Sequence, residues 1–299
     1  YPVDDGDNPY GMPDQLTGQG VSAEQYARTN YGYLAGFINH PEIGPILKKA
    51  AAGNWDEAKL YGAVSATQWW QTTSAAQRTW WQLQNEDPAE AARKVQQTAA
   101  SMKNRAESLG LNVNVNSLAA AATANGWTDA QTVDALLNQA NWATIEAGDL
   151  TALRDDVKRI GSDYLVNTTD STAQNWAMKI ASGEMSQEGV RSAMLKQAKA
   201  RFSWMSDELD SGITPRDYFA PVKNVIAQEL GVASEEVNLM DSKYLKMIEK
   251  VGDDGKPRAA TLDEAMMTAR RDPRFANTAK AKEMSTNMSG MVAEIFGRR

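Results

Sequence analysis

DPAEAARKVQQTAASMKNRAESLG, residues 87–110, decides the fold class. Asp87 suits an N-cap, because its carboxylate accepts N–H groups that a first helical turn leaves free. Pro88 suits the first helical position, where its missing N–H is no loss. The stretch predicts a helix running to about Leu109 and stopping at Gly110. The same punctuation recurs in both directions along the chain. Upstream, Ser22-Ala-Glu-Gln25 is a capping box that opens a helix to about Asn39, with Tyr26, Tyr31, Tyr33 and Phe37 suggesting its buried face. His40-Pro41 ends it, since a residue before Pro avoids the α region. A short helix over about 42–52 closes at Gly53. Asn54 with Glu57 caps a helix over about 55–72, and Ser74 with Gln77 caps another over about 75–85.

Downstream, LNVNVN (111–116) alternates apolar and polar residues; as a lone segment it reads as an extended connector sooner than a strand. A helix over about 117–125 ends at Gly126, and Thr128 with Gln131 caps one to about Asn141. Further helices are expected near 149–164, 170–182, 186–205, 214–230, 241–250, 261–270 and 276–296 (about, at each end), with Gly161, Gly183, Gly231 and Gly252 near their ends. The turn Val251-Gly-Asp-Asp-Gly-Lys-Pro257 supports one small hairpin near 251–260, the one patch of sheet expected. The predicted architecture is all-α, an irregular multi-helix bundle in two helical halves, 21–147 and 148–299, divided near Ala147-Gly148-Asp149. Residues 1–20 carry three Pro, four Gly and the acids Asp4, Asp5 and Asp7; they read as an extended N-terminal arm, disordered or laid along a partner.

Composition narrows the function. Of the 299 residues, 42% are hydrophobic, weighted to Ala, Met and Trp over β-branched types, which favours helix over a sheet core. The net charge is −7, and no basic cluster exceeds two or three residues, so broad nucleic-acid binding is disfavoured; Arg298 and Arg299 leave room for a small local contact. With no cysteine there is no disulfide, thiolate nucleophile or Cys-based zinc site. No apolar stretch is long enough to span a membrane as a helix. The chain opens on Tyr1 and is expected to be a processed product or a portion of a longer chain.

Enzyme signatures are missing. There is one histidine, His40, too few for a His-based metal site, and its place before Pro41 reads as a helix cap or surface residue, not a catalytic base. No GxSxG, Walker loop or GxGxxG is present, and the Asp cluster at 4–8 departs from EF-hand spacing. Glu107-Ser108 superficially matches the Glu-Ser of lytic transglycosylases, but the motifs expected downstream are absent and Glu107 lies beside Lys103 and Arg105 on a charged face. No catalytic residue, cofactor or metal ligand is assigned, and the chain is read as not an enzyme.

Two features point to partners instead. Four of nine tryptophans form the pairs Trp69-Trp70 and Trp80-Trp81. Neighbours on a helix point about 100° apart, so both members of a pair rarely enter one core. The pairs would share a face on an unbroken helix, but the Ser74 cap argues for a break between them. Two readings stand: all four line a core between antiparallel helices, or some anchor a protein partner, where Trp is favoured. Stacking on a glycan is a third. Methionine is the second feature, with seven of thirteen in the last 60 residues. Met284, Met288 and Met291, continued by Ile295 with Val292 and Phe296 beside it, form one face of an amphipathic terminal helix. That helix docks on its own domain or inserts into a groove of a neighbouring subunit, where Met adapts to irregular surfaces.

The order of the motifs carries a resemblance. Phe37-Ile-Asn-His-Pro-Glu-Ile-Gly-Pro-Ile-Leu47 is followed by Trp55 and Thr67-Gln-Trp-Trp70. Then come Tyr164-Leu-Val-Asn-Thr-Thr-Asp-Ser-Thr-Ala-Gln-Asn-Trp176, Gly183, Gly212-Ile-Thr-Pro-Arg-Asp-Tyr218, Asp272-Pro-Arg-Phe275 and Ile295-Phe-Gly297. From about residue 30 to the end, the chain resembles a group of tailed-bacteriophage virion proteins common in phages of actinobacteria. The resemblance implies an internal, ejected or minor tail component and brings no catalytic residues. The expected function is that of a structural or interaction protein in a phage virion, docking to portal, tail or capsid components in an oligomeric assembly. The arm and the terminal helix are its expected contact segments. A cell-wall glycan hydrolase or glycan-binding module of a phage particle is the alternative, and a secreted helical protein a third reading.

Overall fold

The computed structural model describes residues 21–296. The arm expected over 1–20, and Arg298 and Arg299, lie outside the described residues, as do the side chains of Ile295 and Phe296. Helix dominates what is described, the one sheet being a two-stranded hairpin, so the fold is all-α. The chain forms two compact units. The described part of the first runs to Glu107 and resumes over Asn112–Ala140; the second takes Asn141 onward together with Ser108–Leu111. The division expected near 147 thus compares with a change of unit at Ala140–Asn141, plus a short detour earlier in the chain.

The first unit opens with α1 (Ala23–Asn30), where Ser22 Oγ accepts the Gln25 N–H at 3.2 Å. The helix expected to reach Asn39 stops there, because Gly32 takes a left-handed φ of +48°. Residues Gly32–Phe37 then wind as a 3₁₀ helix. Next come α2 (Ile43–Ala52), α3 (Glu57–Ser65), α4 (Gln68–Thr72), α5 (Ala75–Glu86), α6 (Pro88–Leu109), α7 (Asn116–Asn125) and α8 (Asp129–Leu137). The single helix expected over 55–72 is two. Asp56, not Asn54, caps α3, its Oδ1 accepting the Lys59 N–H at 2.7 Å. Thr67 then starts α4, its hydroxyl donating to the Val64 carbonyl at 2.7 Å while accepting the Trp70 N–H at 3.3 Å. A Thr side chain that satisfies backbone groups on both sides offers the chain an alternative to continuing the helix. Phe37, Ile43, Leu47, Leu60 and Val64 are fully buried at the centre of this unit.

The second unit contains α9 (Asp149–Asp163), α10 (Asp170–Ser182), α11 (Gln187–Arg201), α12 (Ser206–Asp210), α13 (Pro215–Tyr218), α14 (Ala220–Leu230) and α15 (Ser242–Ile248). After α15 come β1 (Glu249–Val251), β2 (Pro257–Ala259), α16 (Leu262–Arg270) and α17 (Ala279–Phe296). The strands pair antiparallel, with Lys250 opposite Arg258, and form the expected hairpin. Several expected helices are shorter than their patterns. The 186–205 helix gives way at Phe202 to a 3₁₀ turn, Ser203–Met205. The 214–230 helix breaks at Phe219 because Pro221, just beyond, has no N–H to continue the ladder. The expected start at 276 is a 3₁₀ turn, Pro273–Asn277. Gly161 lies near a helix end as expected, in the last turn of α9, where a Cβ would stand 2.2 Å from Thr168 Oγ1.

Two buried clusters organise this unit. Val157, Ile160, Ala173, Val190 and Met194 join α9, α10 and α11. Phe202, Met205, Phe219, Ile226, Tyr244, Met247 and Ile248 lie in the other cluster, to which α16 adds Ala265 and Ala269. The detour Ser108–Leu111 meets the start of α9 backbone to backbone. The Gly110 carbonyl accepts the Glu146 N–H at 2.9 Å, and Ser108 Oγ donates to Asp149 Oδ2 at 2.7 Å. Gly110 holds a φ of +80°, and a Cβ on Gly148 would fall 2.6 Å from the Gly110 nitrogen. Such an approach tolerates no side chain.

Candidate partner-binding surfaces

The first surface grows from the 3₁₀ turn that Gly32 starts. That turn delivers Phe37 into the core, and His40 follows it, buried at 5% exposure. His40 Nδ1 accepts the N–H groups of Glu42 at 3.2 Å and Ile43 at 3.3 Å, so the imidazole caps the start of α2. Burial lowers its pKa from the ordinary 6.5, against the opposing pull of the Glu42 charge. Around these residues stand the tryptophans. Trp69 and Trp70 pack edge-on to Phe37 at ring-centre distances of 5.6 and 5.7 Å, and Trp81 stacks on it at 5.6 Å. Trp69 and Trp81 also flank His40 at 4.1 and 4.7 Å. Glu42 accepts the Trp69 N–H at 3.2 Å. Arg78 lies 4.2 Å over the Trp70 ring and donates to the Trp70 carbonyl at 2.9 Å.

The structure brings Trp69, Trp70 and Trp81 together, all three half-buried, each with one side on the core. Ser74 breaks the helix between the pairs, its hydroxyl and the Gln77 side chain completing a capping box. Trp80 is half-buried too, but it is not among the rings gathered on Phe37. The cap reading of His40 holds, though at the start of α2 and not at the end of the helix before it; the surface alternative does not, and that a buried His40 stands at the centre of the cluster is what sequence reasoning missed. The signal was His40-Pro41-Glu42-Ile43, an acceptor side chain three residues ahead of an apolar run.

The second surface is α17. Its root is fixed by Glu229 of α14, whose side chain is 4% exposed. Glu229 accepts from Arg270 Nε at 2.9 Å and from Lys280 Nζ in the first turn of α17. Burial pushes the Glu229 pKa up, but the hydrogen bonds and charges of Arg270 and Lys280 outweigh it, leaving a net lowering. Thr278 Oγ1 accepts the Ala281 N–H at 3.1 Å. Beyond this root the helix leaves its core. Met284, Met288 and Met291 are 38%, 63% and 64% exposed, and Val292 is exposed with them. Of the two readings of the terminal helix, the described residues give no docking of this methionine face onto its own unit. Ile295 and Phe296 continue α17, but their side chains lie outside the described residues.

Among the described residues, no group of three His, Asp or Glu side chains is placed to hold a metal ion, and no helix is long and apolar enough to cross a membrane. Glu107 is exposed and sits 3.8 Å from Lys103. No protein family, curated protein or solved structure matches this chain.

Proposed function

We propose that the chain is a structural interaction protein of a bacteriophage particle that docks onto another virion protein through α17. The resemblance of its motif order to that of tailed-phage virion proteins supports the phage setting. The observation that carries the docking is the methionine face: apolar side chains at 284, 288 and 291 exposed on a helix with no charged residue from Met284 to Ala293. An apolar stripe at this spacing is what a helix presents to a groove on a partner, and methionine lets it fit an irregular one. The action is non-covalent and transforms no substrate.

The test is incorporation. Particles are assembled with the full chain and with Met288→Asp/Met291→Asp, and the chain is quantified in purified virions. The expected result is loss of the doubly substituted chain from particles while its circular dichroism stays unchanged. Normal incorporation of that variant would overturn the docking reading, and absence of the unaltered chain from particles would overturn the virion assignment. Deletion of residues 1–20 is expected to leave folding intact and weaken assembly; normal entry of that truncated chain would remove the arm as a contact segment.

A further inference from the structure

We propose that His40 is an acid-sensitive latch holding the aromatic surface of the first unit closed. The single imidazole joins three helices. Its Nδ1 receives the two N–H groups that start α2, and its ring lies against Trp69 of α4 and Trp81 of α5. Accepting at Nδ1 requires that nitrogen to be bare, so the neutral ring carries its proton on Nε2. Glu42 extends the latch by taking the Trp69 N–H. The α4 segment is five residues long, and these ties act beside the Thr67 cap and the Arg78 contact in holding it.

Protonation reverses the role of Nδ1. The acceptor becomes a donor, the Glu42 and Ile43 amides lose their partner, and a positive charge forms at the positive end of α2. Two attractions oppose this, the indole faces for a cation and the Glu42 carboxylate. The charged groups on the surrounding elements are Glu42 before α2, Lys48 and Lys49 on α2, and Arg78 and Glu86 on α5; α4 and the Gly32–Phe37 turn carry none. Of these, Glu42 is the one whose charge acts on the imidazole, and it is already engaged with Trp69. Arg78 is occupied with Trp70. The balance therefore goes to burial and the two lost amide bonds. With one His and no Cys in the chain, His40 is the side chain whose ordinary titration falls between about pH 5 and 8. At neutral pH the latch keeps Trp69 and Trp81 seated on Phe37; on acidification α4 loosens and the rings turn outward.

A lone histidine makes the test direct. The imidazole proton signals of the full chain and its tryptophan emission are followed from about pH 8 to 5. The expected outcome is an imidazole midpoint below 6.5, with emission shifting to longer wavelength over the same range. His40→Asn, whose amide oxygen can cap α2 without taking up a proton, should keep the neutral-pH emission and lose the shift; Glu42→Gln should retain the shift. An imidazole midpoint at or above 6.5, a flat emission across the imidazole titration, or a shift that survives in His40→Asn or vanishes in Glu42→Gln overturns the latch. Should His40→Asn fail to fold, coincidence of the two midpoints in the unaltered chain decides.

Discussion

At the scale of single residues, a few atoms carry much of each unit. Phe37 is fully buried with three indoles around it. Phe37→Ala removes a large ring whose neighbours, being rigid aromatics, collapse poorly into the space. It is expected to cost about 3–5 kcal/mol in urea unfolding followed by tryptophan emission. Gly148→Ala tests the backbone crossing. Its φ of −177° suits any residue, so the cost is purely steric: the new methyl would meet the Gly110 nitrogen at 2.6 Å and the Ser108 carbonyl at 2.8 Å. Both obstacles are main chain and cannot swing aside, so a loss of roughly 1–3 kcal/mol is expected from thermal denaturation. An unchanged melting temperature would contradict the crossing.

Whole elements show where sequence reading succeeds and where it stops. Caps were legible because their chemistry is local: Ser22, Ser74 and Thr128 each accept the N–H three residues on. Helix interruptions were not, since Gly32, Thr67 and Pro221 break patterns whose apolar spacing continues past them. The Trp pairs were legible as unusual, yet their centre depends on Phe37 and His40 arriving from a distant turn, and no spacing reports that. For α17 the methionine face was legible; that its own unit leaves it uncovered is a tertiary fact. Its root yields two predictions. Arg270→Ala strips a direct partner from a carboxylate that is 4% exposed. A loss of about 1–3 kcal/mol is expected, with Lys280 limiting the damage. The lowered Glu229 pKa gives stability that is fully present above the ordinary 4.5 and fades as pH falls through the folded value, so urea midpoints of the second unit should drop on acidification in that range. In the free chain, amides of α17 beyond Lys282 should also exchange with deuterium far faster than those of α14. An exposed stretch rich in Ser, Thr, Asn and Gly has little helix stability of its own.

In the molecule as a whole the chain passes from the first unit to the second, back, and to the second again. Helix α6 belongs to the first unit up to Glu107, and its last residues belong to the second. A fragment over 141–299 therefore lacks the Gly110–Glu146 and Ser108–Asp149 bonds that the start of α9 relies on. It is expected to melt below a fragment over 108–299, and equal melting of the two would show the detour to be dispensable.

That path of the chain bears on heredity. A gene exchange that broke at the apparent linker near residue 141 would hand the recipient a C-terminal half still completed by someone else's Ser108–Leu111. Recombinants with a break ahead of Ser108 inherit the whole unit, while those with a break at the linker keep the close backbone approach only when the foreign tetrapeptide has a glycine at 110.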